Sequence, residues 1–179
     1  MSDVTELNLK DFSDAKISSV DAYRRLSAII TENNEFFVFG TDEEGLFGNQ
    51  GKRYEIPTKI NITLQSDETM TKVALGIKHS LVLTDLNNLY AIGDNSDLEL
   101  GITKDGKPDF TSTFSKFQLA GKKTENQISS LYCSSKKSYI LTSANEFIHF
   151  GSVDNSGIQP FKSTPSRIFT NGSITFETV

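Results

Sequence analysis

Leu81-Val-Leu-Thr-Asp-Leu-Asn-Asn-Leu-Tyr-Ala-Ile-Gly93 decides the fold, because two short apolar runs around a polar Asp/Asn turn are the sequence of a β-hairpin. The stretch recurs twice without a gap, as Ala28-Ile-Ile-Thr-Glu-Asn-Asn-Glu-Phe-Phe-Val-Phe-Gly40 and Tyr139-Ile-Leu-Thr-Ser-Ala-Asn-Glu-Phe-Ile-His-Phe-Gly151. One column holds Thr31, Thr84 and Thr142, a second Phe36, Leu89 and Phe147, and a third Phe39, Ile92 and Phe150; Gly40, Gly93 and Gly151 close each unit. Gly40 to Gly93 is 53 residues and Gly93 to Gly151 is 58, periods that signal a repeat architecture.

Working outward, each hairpin is preceded by a third short strand: Lys16-Ile-Ser-Ser-Val20, Thr71-Lys-Val-Ala-Leu75 and Gln127-Ile-Ser-Ser-Leu131. A Pro-flanked apolar stretch follows the first and third hairpins, Pro57-Thr-Lys-Ile-Asn-Ile62 and Pro165-Ser-Arg-Ile-Phe169, and supplies a fourth strand. About four strands in just over fifty residues is the pattern of a β-propeller blade. The expected fold is all-β: about three blades of four antiparallel strands in an open arc or partial propeller. The chain reads as one repeat domain, with units at about 16–62, 70–117 and 126–169, and with 1–15 and 170–179 as terminal strands or tails. Val4-Thr-Glu-Leu-Asn-Leu9 and Ser173-Ile-Thr-Phe-Glu-Thr-Val179 alternate like strands suited to capping the two ends. The helix candidates, Val20 to Ile30 and Lys116 to Lys123, lack a clean 3.6-residue apolar period.

The residues resemble the regulator of chromosome condensation repeat family. Gly76-Ile-Lys-His79-Ser80, then Leu89-Tyr-Ala-Ile-Gly93-Asp-Asn95, then Leu98-Glu-Leu-Gly101 follow that family's order and spacing. The first unit keeps Phe-Gly40-Thr-Asp42-Glu-Glu-Gly45-Leu-Phe-Gly48 but has Tyr23 and Leu26 in place of the Gly and His; the third keeps Gly151, Asp154-Asn155 and Gly157 and loses the Leu-Gly pair. The family usually places Trp before the closing glycine, whereas this chain has no Trp and uses Phe39, Ile92 and Phe150. The resemblance implies a propeller, which in that family typically has seven blades, and it gives Gly40, Gly76, His79, Gly93, Gly101 and Gly151 structural roles. It also implies a partner: the family's founding member is a chromatin-bound exchange factor for a nuclear small GTPase.

Composition agrees with a globular chain that has no apolar span: 179 residues, 36% hydrophobic, 23% charged, with mean hydropathy −0.31. A net charge of −5 opposes bulk attraction to nucleic acid and leaves room only for local contact. One cysteine, Cys133, makes no internal disulfide, and the Met-Ser-Asp-Val start is unlike a signal peptide, so a cytoplasmic or nuclear location and no membrane association are expected.

Little in the sequence points to catalysis. The two histidines, His79 and His149, lie 70 residues apart, and there is neither a CxxC site nor a Gly-Lys-Ser/Thr phosphate loop, so no catalytic residue, metal or cofactor is expected. His79 is expected to hydrogen-bond a turn, Cys133 to pack as a small buried hydrophobe, and His149 to face away from the apolar side of its strand. The acidic loops Thr41-Asp-Glu-Glu-Gly45 and Asp94-Asn-Ser-Asp97 lack a calcium ligand ladder.

Charge patterning is more informative. Arg25, Lys78 and Lys136 share a column at the tip between the first two strands, with Arg24, His79 and Lys137 beside them. Because consecutive strands reverse direction, that tip lies at the same end as the loop after the third strand, which carries Asp42, Glu43, Glu44, Asp94, Asp97 and Glu99. Lys52 and Arg53 fall on the same side, in the loop after Gly48. This end is the candidate partner-binding surface. The expected function is a non-catalytic interaction module: a repeat arc serving as an adaptor or a small subunit of a larger assembly, with a protein partner or a homodimer covering its open ends. The alternatives are an exchange factor or regulator of a small GTPase, and ribonucleoprotein or chromatin contact through the basic row.

Overall fold

A computed structural model describes residues 9–47, 50–101, 111–117, 127–151 and 166–168. Its strands are β1 (Ile17–Tyr23), β2 (Leu26–Thr31), β3 (Phe36–Asp42), β4 (Lys52–Ile60), β5 (Met70–Leu75), β6 (His79–Thr84), β7 (Leu89–Gly93), β8 (Thr111–Phe117), β9 (Ile128–Cys133), β10 (Lys137–Thr142), β11 (Phe147–Gly151) and β12 (Ser166–Ile168). They form three antiparallel four-stranded sheets in chain order: blade 1 from β1–β4, blade 2 from β5–β8 and blade 3 from β9–β12. The three-unit propeller-type architecture read from the repeats is therefore the observed one.

Each hairpin closes through an asparagine with positive φ: Asn34 at 61°, Asn87 at 61° and Asn145 at 60°. Asparagine tolerates that left-handed conformation better than other side-chain-bearing residues, which is why the turn column holds it. The Val20 to Ile30 stretch is two strands with a turn in which Arg24 takes φ 55°, and Lys116 lies in β8, so neither helix candidate forms among the described residues. The period-two pattern of Leu26-Ser-Ala-Ile-Ile-Thr31, paired along its length with β1 and β3, outweighs its helix formers.

The blades stack face to face, with the first strand of each running beside the first strand of the next. Ala28, Ile30 and Phe36 of blade 1 meet Val73, Val82 and Tyr90 of blade 2. Leu81, Leu83 and Leu89, on the other face of blade 2, meet Ile140, Ile148 and Phe150 of blade 3. Part of blade 1's far face is covered by the chain itself, while Val20, paired with Ile29, stays 62% exposed. Leu9–Phe12 is a 3-10 turn, and Phe12 packs edge-on to Phe37 at 5.5 Å, covering Ile29 as well. Burying a phenylalanine in this way stabilises the blade by about 2 kcal/mol. The expected strand at 173–179, and the N-terminal one before Leu9, lie outside the described residues.

Candidate functional site

The strand registers bring the expected binding end together. Leu26 pairs with Gly40, His79 with Gly93 and Lys137 with Gly151, so each basic tip lies against the start of the loop that follows its blade's third strand. The approach is close enough to require glycine. A Cβ on Gly40, Gly93 or Gly151 would fall 2.0, 2.1 or 2.2 Å from the carbonyl oxygen of Arg25, Lys78 or Lys136, respectively. The first two of those carbonyls also accept hydrogen bonds from the residue after the glycine, Thr41 N to Arg25 O at 2.8 Å and Asp94 N to Lys78 O at 2.7 Å. The backbone of each tip is thereby pinned and its side chain is turned outward.

The basic row is not a bare cationic stripe. Arg24 lies 3.7 Å from Glu43 and 3.9 Å from Glu44, and Arg25 lies 3.4 Å from Glu43. Lys78 reaches back to Glu44 at 3.6 Å, bridging blades 2 and 1, and Lys136 of blade 3 reaches Asp97 of blade 2 at 2.7 Å. The Asp97 carboxylate holds the Lys136 ammonium above its ordinary pKa. Arg25 remains 69% exposed and Lys136 57% exposed, so the alternating charges face solvent. Lys137 is half-buried beside them.

Two expectations at this end are corrected. Asp42 is buried at 2% exposure, and its two carboxylate oxygens accept hydrogen bonds from Leu46 N at 2.8 Å and Phe47 N at 2.7 Å. It folds its loop and presents nothing to a partner, and Glu99, also 2% exposed, likewise turns inward and accepts from Asp97 N at 2.8 Å. Asn95 plays the same part in blade 2, accepting from Leu100 N at 2.9 Å, and Asp94 accepts from Ser96 N at 2.9 Å while keeping partial exposure. Lys52 and Arg53 belong to β4 and not to a loop: they pair with Asp42 and Thr41, and the Lys52 ammonium sits 4.7 Å above the Tyr54 ring. The pairing still places them at this end, exposed.

His79 is fully buried, and its Nε2 lies 3.0 Å from Ser138 Oγ on β10. Ser138 in turn donates to the Glu99 carbonyl at 2.7 Å. The histidine therefore pins blade 2 to blade 3, where the sequence reading expected a bond to a turn. Burial lowers its pKa to about 4, so the ring is neutral at pH 7. Gly76 makes room for it, since a Cβ there would sit 2.2 Å from His79 Cε1. Gly101, at φ 67°, lies against the Phe150 ring. Cys133 packs against the core between blades 2 and 3, and burial pushes its thiol up to about 12. His149 faces away from that core, beside Tyr139, and burial lowers its pKa. No cluster of three metal-ligating side chains occurs among the described residues, nor any helix long and apolar enough to cross a membrane. Gly48, Lys122, Lys123, Asp154, Asn155 and Gly157 lie outside the described residues.

At the opposite end, the sequence reading missed the residues that tie blades together. Asn34 Oδ1 accepts from Met70 N at 2.8 Å, and its amide donates to Glu68 O at 3.0 Å. Asn87 Oδ1 accepts from Ile128 N at 2.7 Å. The first two hairpin turns thus hold the start of the next blade's first strand. The signal is in the column, which holds Asn in all three units. Glu68 had no such signal. Its buried carboxylate takes hydrogen bonds from Tyr90 Oη, Asn88 Nδ2 and Gln65 N; burial raises its pKa, but the donors outweigh that and leave it below the ordinary value.

Comparisons with known proteins agree with this architecture. The family description "Regulator of chromosome condensation (RCC1) repeat" matches residues 70–97, in blade 2. The human X-linked retinitis pigmentosa GTPase regulator is 30% identical over 130 residues, which is 73% of this chain and 12% of that protein. Protein RCC2 homolog of Xenopus laevis is 32% identical over 84 residues, 47% of this chain and 16% of that one. Among solved structures, human WBSCR16 superposes with a TM-score of 0.68 at 16% identity, over 87% of this chain and 38% of that chain. Prp20p from Saccharomyces cerevisiae gives 0.64 at 18% identity, over 85% and 38%. The chain therefore spans well under half the length of each relative named.

Proposed function

The chain belongs to the regulator of chromosome condensation repeat family, and on that premise we propose that it is a non-catalytic protein-interaction module, a propeller-type arc acting as an adaptor or a small subunit of a larger assembly. The observation that carries this reading is the loop-bearing end: Arg25, Lys78 and Lys136 project from three consecutive blades with their backbones pinned, each facing a carboxylate from Glu43, Glu44 or Asp97. A row of ion pairs whose cations stay largely in solvent suits a partner with its own mixed charge, because each exposed cation can exchange its half-buried carboxylate for one on the partner. The same neutralisation, with a net charge of −5, weakens the reading of the row as a phosphate track for nucleic acid.

Affinity purification of the tagged chain from its native cells, with and without alanine at Arg25, Lys78 and Lys136, tests the proposal. The triple variant is expected to stay folded and to lose its partner; a folded variant that retains the partner refutes this choice of surface. A second reading, regulation of a small GTPase, is favoured by two relatives: one is named a GTPase regulator, and Prp20p is described by its binding properties to Gsp1p and histones. Exchange needs no catalytic side chain, only loops that bind the nucleotide-free GTPase better than its loaded forms. Recovery of a single small GTPase that is released on adding nucleotide selects this second reading.

A further inference from the structure

On the interaction-module reading above, we propose that the loop-bearing end of the arc docks an acidic protein segment, whose Asp and Glu side chains take over Arg25, Lys78 and Lys136 from Glu43, Glu44 and Asp97.

The charges at this end lie at two levels. Arg24, Arg25, Lys52, Arg53, Lys78 and Lys136 are all exposed. The carboxylates that face the three tips are less exposed than the cations they pair with: 38% against 69% for Glu43 and Arg25, 25% against 47% for Glu44 and Lys78, and 23% against 57% for Asp97 and Lys136. Asp42 and Glu99 are buried and spent on the amides of Leu46, Phe47 and Asp97. Arg53 faces an exposed carboxylate, Glu55, at 3.8 Å, and so stands apart from the three tips. A molecule approaching the tips therefore meets their cations first. At the hairpin-turn end the exposed charges run the other way: Asp14, Glu32, Asp67 and Asp85 are exposed there, with Lys16 and Lys59, and Lys59 is held by Glu35 at 2.7 Å. A chain of net charge −5 thus carries exposed positive charge at one end, which attracts and orients an acidic partner toward the row.

The tips come from three consecutive blades, and Lys78 and Lys136 each reach a carboxylate on the blade before. A segment that engages Arg25, Lys78 and Lys136 together therefore runs across the blades. Its carboxylates meet the same guanidinium and ammonium groups that Glu43, Glu44 and Asp97 meet now, and the exchange of one exposed pair for another costs little. A protein segment suits the row better than nucleic acid does. Single-stranded nucleic acid is held where bases stack on aromatic rings set among the cations. Here the tyrosines that adjoin the cations in sequence, Tyr23 and Tyr54, pack into the core between blades 1 and 2, and Lys52 lies 4.7 Å from the Tyr54 ring centre. An evenly charged phosphate backbone is repelled by Glu43, Glu44 and Asp97 along the row, whereas a peptide can place carboxylates over the cations and neutral or basic side chains over those acids.

Fluorescence anisotropy of the full chain at low salt, with labelled poly-L-glutamate, poly-L-lysine and polythymidylate as probes, tests the proposal. Poly-L-glutamate is expected to bind, with an affinity that falls at least about tenfold when the ionic strength is raised to about 0.15 M. Arg25→Glu, Lys78→Glu and Lys136→Glu together should weaken it at least about tenfold with an unchanged far-UV circular dichroism spectrum, while Glu32→Lys at the opposite end leaves it within about twofold. Should the triple variant lose its fold, Arg25→Glu alone carries the same comparison. No binding of poly-L-glutamate, binding that survives the reversal, or tighter binding of poly-L-lysine overturns the proposal. Tighter binding of polythymidylate also overturns it and assigns the row to nucleic acid. A native partner that the alanine variant loses, combined with no binding of poly-L-glutamate, leaves the surface standing and removes only the acidic chemistry of its partner.

Discussion

Replacing Asp42 by alanine separates a loop-folding role from a partner-binding one. The carboxylate accepts from Leu46 N and Phe47 N at 2.8 and 2.7 Å inside a loop where Leu46 is 3% and Phe47 9% exposed, so both amides lose their acceptor out of reach of bulk water. An unsatisfied buried donor costs about 1–3 kcal/mol, which puts Asp42→Ala at about 2–5 kcal/mol. With a urea m-value of about 1–3 kcal/mol/M for a protein of this size, the unfolding midpoint should fall by roughly 1–2 M. Asp42→Asn keeps one acceptor, as Asn95 does naturally in blade 2, and should lose about half as much. Glu43→Ala, one residue on, removes only solvent-exposed pairs with Arg24 and Arg25 and should cost less than about 1 kcal/mol. Urea titrations followed by far-UV circular dichroism check all three. An Asp42→Ala protein within about 0.5 kcal/mol of the parent refutes the argument, and so does one that keeps its stability but loses a partner.

His79 and Gly93 give two further expectations. Because burial holds the folded-state pKa of His79 at about 4 against 6.5 for the free side chain, the unfolded chain binds the extra proton first as pH falls. Stability from this group is complete above pH 6.5 and declines between 6.5 and about 4, by up to about 3 kcal/mol. His79→Gln should flatten that part of the stability–pH curve measured in urea, and an unchanged slope rules the account out. Gly93→Ala puts a methyl 2.1 Å from Lys78 O and 2.7 Å from Leu46 Cδ1 at φ 113°, so it should destabilise by about 2–5 kcal/mol in thermal and urea unfolding. A loss below about 1 kcal/mol means the Lys78 tip is not pinned as described.

The sequence by itself determined the repeat unit, the strand alternation, the hairpin turns and the end of the arc at which the basic tips and acidic loops meet. Those features depend on neighbours a few residues apart: a period of two sets the faces of a strand, and a turn with positive φ selects Asn or Gly. Only the tertiary structure decided which polar residues are buried and which blades they join. Asp42 and Glu43 look alike in sequence, yet one is enclosed by its own loop and the other faces Arg25. Asn34 and Asn87 read as ordinary turn residues until strands that begin 36 and 41 residues further on pack beside them. His79 and Ser138 are 59 residues apart. Such partners are fixed by how one sheet stacks on the next, and a stacking geometry set by whole faces of side chains leaves no local mark on any single residue of the pair.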